Sequence, residues 1–316
     1  MPTNRLTWTA ATPGDAPIAG YRLYNADSNE LIFDSLSPSV LTYDHFDRAP
    51  GIYRYYVIAY ATDGQTSQAS NTVTLKVGGD PFFADVMVLL TANTGALVEW
   101  TGRPTITVQG GGAVSSTQVK FGVASFRNPA PQDTFNTNYV VVEDTNDGQN
   151  LFAFSGELTA EGWFYMEGLN NSFAGTSLFS NNLVFTAIGA LQAGIRIGIP
   201  YTLFANVRAD NFPTYPSESL IGSNDGPVTI GNWFFFALTR DSSGVFRLFW
   251  NGILVATSLA VVGVIGGQVP KTRLNVAYGP ASNLADANCY FDQIRVTKRC
   301  RYVADFAPPT LPFPIF

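Results

Sequence analysis

Two carboxylates held about 5–10 Å apart are the minimum equipment for cleaving a glycosidic bond. The acids that could supply them are Glu143, Asp144, Glu157 and Glu161. On a strand, acids share a face only at alternate positions. Glu143 and Asp144 are adjacent and point to opposite faces. Glu157 and Glu161 are separated by Leu158-Thr159-Ala160, with no acid between them. The spacing therefore predicts no carboxylate pair, no hydrolase and no enzyme. His45 is the single histidine, which a Ser/His/Asp triad would need; between Asp44 and Phe46 it reads as a surface residue of an inter-strand loop. One histidine with Cys289 and Cys300 is too few for a zinc site. Gly110-Gly111-Gly112 lacks the Lys-Ser/Thr of a phosphate loop.

Two features keep a functional reading. The run Glu143-Asp144-Thr145-Asn146-Asp147-Gly148 is the densest acidic loop. Hard cations take several loop oxygens, so Glu143, Asp144 and Asp147 are candidate calcium ligands, and no other cofactor is suggested. EF-hand spacing fails, because the position of the bidentate Glu falls on Phe154. The same residue types also make a hairpin turn between 139–142 and 151–154, and both readings stay open. The second feature is Phe234-Phe235-Phe236. Consecutive strand residues face opposite ways, so at least one of these rings leaves its sheet's core face. Either it packs under a loop, or Phe234, Phe235 and Phe236 mark an interface with another subunit. Trp100, Trp163, Tyr201 and Tyr215 are candidates for stacking on sugars or for filling a core.

The elements that must carry these residues are strands. The chain has 316 residues, 46% hydrophobic and 13% charged, enough for two apolar cores. A net charge of −6 without a Lys/Arg run gives no footprint for nucleic acid. Arg295, Lys298, Arg299 and Arg301 read as a solvated strand end. The most apolar stretch, 253–265, is shorter than the roughly 20 residues of a membrane helix, and no secretion signal opens the sequence. The expectation is a protein made in a host cytoplasm with free thiols and no membrane insertion.

Strands are predicted over 5–10, 20–25, 30–34, 53–61 and 72–77, with turn signals between them. In the strongest of these, Tyr53, Tyr55, Val57 and Ala59 share a face. Leu6-Thr7-Trp8, Gly20-Tyr21-Arg22-Leu23-Tyr24 and Pro50-Gly51-Ile52-Tyr53 with its Tyr-x-Tyr-x-Val-x-Ala strand resemble a fibronectin type III module. The resemblance implies a sandwich with Tyr53 as its tyrosine-corner residue. It departs from the family in lacking strand A, or having only a very short one, which implies an open sheet edge that invites strand addition. Gly78-Gly79-Asp80-Pro81 reads as the linker, giving domains at 1–79 and 80–316.

Beyond it, strands are predicted at 85–91, 105–108, 139–142, 161–166, 183–188, 194–199, 233–240, 245–250, 253–257, 272–278 and 290–297. Trp250-Asn251-Gly252-Ile253 is a type I′ hairpin signal that pairs Trp250 with Ile253 and Leu248 with Val255. Four stretches carry a second resemblance. They are Asp80 through Leu90, Ser116 through Ser125, Trp233 through Leu254, and Phe291 through Lys298 with the proline-rich run Arg301 to Pro314. They resemble the laminin-G-like, concanavalin-like jelly rolls of bacteriophage structural proteins. The fold class expected is thus all-β, a fibronectin type III-like sandwich followed by a laminin-G-like jelly roll. The resemblance implies a non-enzymatic virion protein of the tail or capsid surface, homo-oligomeric and partnered by other virion proteins. A host-receptor or polysaccharide-binding role is the alternative, with a glycan hydrolase behind it.

Overall fold

The computed structural model describes residues 4–45, 51–130, 137–144, 152–168, 175–180, 191–196, 202–207, 218–221, 230–265, 273–276 and 284–316. The chain divides into two compact units, one of residues 1–83 with 314–316 and one of residues 84–313. Apart from a single 3-10 turn at Phe83–Asp85, every regular element among the described residues is a strand, and the fold is all-β.

The smaller unit has six strands: β1 (Asn4–Thr7), β2 (Ile18–Asn25), β3 (Leu31–Asp34), β4 (Thr42–His45), β5 (Gly51–Ala61) and β6 (Val73–Val77). β1 pairs with β4 in a two-stranded sheet, and the other four form a sheet in the order β3-β2-β5-β6. Alternation decides what lies inside. Leu6, Leu23 and Tyr55 form the buried centre, with Phe33, Tyr43, Tyr53, Val57 and Leu75 packed around it. The other face of β5 is also covered: Tyr56 stacks on Tyr24 at 5.2 Å, and the Arg22 guanidinium lies 4.5 Å over Tyr60. The glycine pair expected to be a linker is integrated into this unit. A Cβ on Gly79 would meet the Phe316 ring at 2.9 Å, and the Asp80 amide donates to the Phe316 carbonyl.

The larger unit contributes β7 (Val86–Thr91), β8 (Val98–Glu99), β9 (Pro104–Gln109), β10 (Ala113–Ser115), β11 (Ser125–Asn128), β12 (Tyr139–Asp144), β13 (Leu158–Met166), β14 (Gly175–Ser180), β15 (Leu191–Arg196), β16 (Thr202–Val207), β17 (Glu218–Ile221), β18 (Trp233–Arg240), β19 (Val245–Trp250), β20 (Ile253–Ala260), β21 (Arg273–Val276), β22 (Leu284–Ala285) and β23 (Cys289–Thr297). One sheet runs β10-β11-β23-β13-β18-β19-β20, with β7 also on β23. The second runs β17-β16-β15-β14-β21-β12-β9. Their facing sides share one apolar core. Phe164, Phe236, Leu238 and Leu248 come from the first sheet, and Val140, Ile195, Ala205 and Val276 from the second. The segment predicted as a strand at 183–188 lies outside the described residues.

The Asn251-Gly252 turn forms with both residues at positive φ, 47° and 80°, as its type requires. Trp250 pairs with Ile253 as expected, but Leu248 faces Ala256 instead of Val255. A bulge between Leu248 and Phe249 takes up the extra residue and shifts the register.

Candidate functional site

The outer face of the larger unit's first sheet is where a chemist would look for a groove. Thr159, Glu161 and Trp163 of β13, Phe235 and Thr239 of β18, Phe249 of β19 and Arg295 of β23 all point there. The face is closed. Glu161 is fully buried and Arg295 nearly so. Arg295 Nη2 sits 2.7 Å from Glu161 Oε1, and Nε donates to the same oxygen. Arg301 Nε lies 3.6 Å from that oxygen, while the Tyr302 hydroxyl donates to Glu161 Oε2 at 2.8 Å. Burial beside a carboxylate pushes the Tyr302 phenol well above its usual range. Held by two guanidinium groups and a phenol, the Glu161 carboxylate has no room to serve as a general acid or nucleophile. Glu157 is likewise turned to the tail, accepting from the Cys300 amide.

The closing element is the irregular C-terminal run 298–313. Thr159 Oγ1 donates to the Arg299 carbonyl and accepts from the Arg301 amide, and Thr239 Oγ1 donates to the Tyr302 carbonyl. The Phe306 amide donates to the Gly252 carbonyl, so the hairpin turn doubles as a docking point. Tyr302 and Phe306 stack at 3.6 Å, and Phe306 meets Phe235 and Phe249 edge-on. The proline-rich run is therefore a lid built into the fold, satisfying buried polar groups that would otherwise be costly.

A bulge supplies a second buried group. Trp163 pairs with Asp292 and Glu161 with Arg295, so one residue of β13 opposes two of β23. A Cβ on Gly162 would sit 2.5 Å from Ile294 Cδ1, so a larger residue there would have to displace that side chain. Gln293 takes φ of 54° to make the bulge, a conformation that costs a non-glycine residue about 1–3 kcal/mol. Two consecutive polar side chains then point outward. Asp292 accepts from the amides of Phe121 and Gln293, and Gln293 bonds Asn93 and the Phe313 amide. Burial raises the Asp292 carboxyl to about 6. Lys120 lies 3.6 Å over the Trp163 ring, and desolvation lowers its ammonium below the usual range.

Several sequence expectations are corrected here. Phe234 and Phe236 face the inter-sheet core, and Phe235 lies under the tail against Trp163, Phe306 and Phe313. None of the three exceeds 2% exposure, so this triplet offers no surface to a neighbour. Of the two readings left open for this run, packing under a loop is the one the structure bears out, because residues 298–313 cover the sheet's second face. Arg295 and Arg301 are not a solvated strand end, since both are buried in ion pairs. His45 is not a loop residue. It ends β4, is 9% exposed, and its Nδ1 is 2.9 Å from the Tyr55 hydroxyl. Of the proposed calcium ligands, Glu143 and Asp144 end β12 opposite Thr105 and Pro104, and Asp147 lies outside the described residues. Among the described residues no group of three or more His, Cys, Asp or Glu is arranged to hold a metal. Cys289 and Cys300 are free thiols, the first fully buried.

The open site lies in the smaller unit. A cleft of about 590 Å³ runs between its two sheets, floored by Leu6, Leu23, Tyr55 and Val57 and flanked by Trp8 and Tyr21. Ser67, Gln68, Ser70 and Asn71 form its polar side. Its size falls within the range of ligand pockets, about 300–1,000 Å³.

Comparisons of the whole chain with known proteins bear on these two units. No protein-family model matches the chain, and no curated protein matches it. Solved structures do. The binding domain of Paraclostridial Mosquitocidal Protein 1 superposes with a TM-score of 0.53 at 13% identity, over 70% of this chain and 50% of that one. Botulinum neurotoxin type C, described as entering cells through interaction with two ganglioside molecules, superposes with a TM-score of 0.52 at 14% identity, over 70% and 49%. The binding domain of botulinum neurotoxin DC in complex with SialylT gives 0.50 at 14% identity, over 70% and 49%. The likeness is one of fold. The chain spans about half the length of these structures, and the first is, by name, a binding domain. Neither the buried Glu161–Arg295 pair nor the cleft was legible in the sequence. The alternating Thr159-x-Glu161 and Arg295-x-Thr297 polar positions were the available signal for the pair.

Proposed function

We propose that this chain is a non-enzymatic bacteriophage virion protein that works by surface binding. The observation that carries the reading is the sequestration of Glu161. The acid on the larger unit's outer face is neutralised by Arg295 and Arg301 and sealed under the chain's own tail, which leaves surfaces rather than a reactive groove. The fold shared with toxin binding domains supports recognition over turnover. The resemblance of 233–254 and 291–314 to phage jelly rolls supports the virion setting and contacts with other virion proteins. The test is to locate the chain in a density map of the intact particle and to incubate it with host-envelope polysaccharide. Density at the tail or capsid surface with no release of reducing ends is expected. Measurable release of reducing ends overturns the non-enzymatic reading, and absence from the particle overturns the virion reading.

A second reading, glycan recognition, is favoured by the ganglioside and sialyl ligands named for structural neighbours of the chain. Saturable retention of the chain on immobilised sialylated glycans, competed by free glycan, is the outcome that would raise it above the first.

A further inference from the structure

We propose that the smaller unit binds an extended peptide strand of another polypeptide, which pairs with the free edge of β1 and lays alternate apolar side chains into the cleft beside it. This extends the surface-binding reading to a second site, and neither claim needs the other to hold.

The register of β1 defines the edge. Asn4, Leu6 and Trp8 stand opposite His45, Tyr43 and Leu41, and the Trp8 amide donates to the Leu41 carbonyl at 3.0 Å. In an antiparallel ladder, bonded and unbonded pairs alternate. The N–H and C=O groups of Arg5 and Thr7 therefore point away from β4. Among the described residues β4 is the sole strand paired with β1. Two donor–acceptor sets, spaced about 6.8 Å along the strand, lie open on the side where the cleft begins. The opposite wall is already closed. The amides of Val57 and Ala59 on β5 donate to Ser70 Oγ and Ser67 Oγ, so an incoming strand has one edge to join.

The interior of the cleft agrees with that geometry. Side chains of a strand added to β1 would alternate between solvent and the apolar floor of Leu6, Leu23 and Tyr55. Trp8 Nε1 is buried without a hydrogen-bond partner, an orphan donor that a strand carbonyl would satisfy. Charge narrows the occupant further. Among the described residues Arg5 is the one charged residue lining the cleft. Asp44 uses its Nε and Nη2, which leaves Nη1 for an acceptor brought by the partner. The strand that fits is apolar at alternate positions and acidic, not basic, where it passes Arg5. A saccharide could fill the space but would not match two backbone sets at strand spacing.

The experiment uses the full chain and a panel of end-blocked heptapeptides with Val, Ile, Leu or Phe at alternate positions and either Glu or Lys at one end. Binding is followed by titration and by amide exchange at Arg5 and Thr7. Glu-ended peptides should bind saturably, protect both amides, and bind at least about threefold more tightly than their Lys counterparts. Thr7→Pro removes one outward N–H and no bond of the β1–β4 ladder, as edge strands tolerate. It should weaken binding about tenfold or more while leaving the thermal midpoint unchanged. Trp8→Phe removes the orphan donor together with one ring of the indole and serves as the second variant, with a loss of about threefold or more. The proposal is overturned if no peptide of the panel binds, if binding is indifferent to both substitutions, or if the protected amides lie elsewhere.

Discussion

Arg295 and Glu161 face each other across neighbouring strands β23 and β13, their charged atoms 2.7 Å apart and almost entirely out of water. A buried pair of this kind contributes little over an apolar replacement, but removing one partner strands the other. Glu161→Ala leaves Arg295 and Arg301 without their carboxylate and should destabilise the larger unit by about 3–5 kcal/mol. The double variant Glu161→Leu with Arg295→Met should recover the share of the loss owed to Arg295, since Arg301 and Tyr302 still lack that carboxylate. Urea titrations of the three proteins measure this, and a double variant as unstable as the single would show that the pair itself stabilises the fold.

The tail adds an independent prediction. Phe235 is wholly buried beneath Phe306 and Phe313. Phe235→Ala should cost about 3–5 kcal/mol, as large cavities do, and should expose the tail to protease. Phe306→Ala removes the lid side of the same contact and should cost less, since Phe306 keeps some exposure. Neither change should alter the oligomeric state, because the Phe234–Phe236 run is buried within its own unit. A shift in sedimentation on either substitution would restore that run as an interface.

What the sequence made legible were period-two strands and one turn. Tyr53, Tyr55 and Val57 pack on one side of β5 as their alternation requires, and Asn251-Gly252 turns as its type demands. What stayed hidden depends on contacts distant in sequence. Arg295 looked like a solvated strand end because its partner stands 134 positions earlier. Phe235 stayed open between packing under a loop and an interface because nothing local reveals that residues 298–313 fold back over the sheet. The Leu248 register failed for a different reason, since a bulge leaves no compositional mark. The cleft is a property of two sheets meeting, and the pattern around Leu6-Thr7-Trp8 hinted only at an open edge.

Asp292 predicts an unusual pH dependence. Burial raises its folded carboxyl from 3.8 to about 6, while the unfolded chain keeps the ordinary value. The folded state thus holds the proton more tightly. The stabilisation is fully present below about pH 4 and is lost as pH rises through 6. A shift of this size corresponds to no more than about 3 kcal/mol. Carboxylates held low by arginines, such as Asp34 and Asp241, act in the opposite sense at lower pH. The comparison is therefore between the parent chain and Asp292→Asn at each pH. Their stability difference should move in favour of the parent as pH drops from 7 to 5, and a flat difference would mean that Asp292 is solvated.

Arg240 makes the last prediction, because its role rests on hydrogen bonding rather than charge. It is 3% exposed, and burial lowers its guanidinium below the usual range. Nη1 donates to the carbonyls of Phe154 and Gly156, and Nη2 to those of Val261 and Gly263. One side chain thus ties together two irregular segments that otherwise meet through the Phe154–Ile265 bridge. Arg240→Met keeps the volume but withdraws a donor from four carbonyls; that of Phe154 keeps the Ile265 amide and that of Gly156 is open to water, so the cost of about 1–3 kcal/mol each falls on those of Val261 and Gly263. Arg240→Lys supplies three donors on a point charge and cannot span both pairs at once. The expected order of stability is parent, then Lys, then Met, with faster amide exchange at Phe154 and Ile265 in both variants. If Met proved as stable as the parent, water would have to be satisfying those carbonyls, and the arginine would be dispensable.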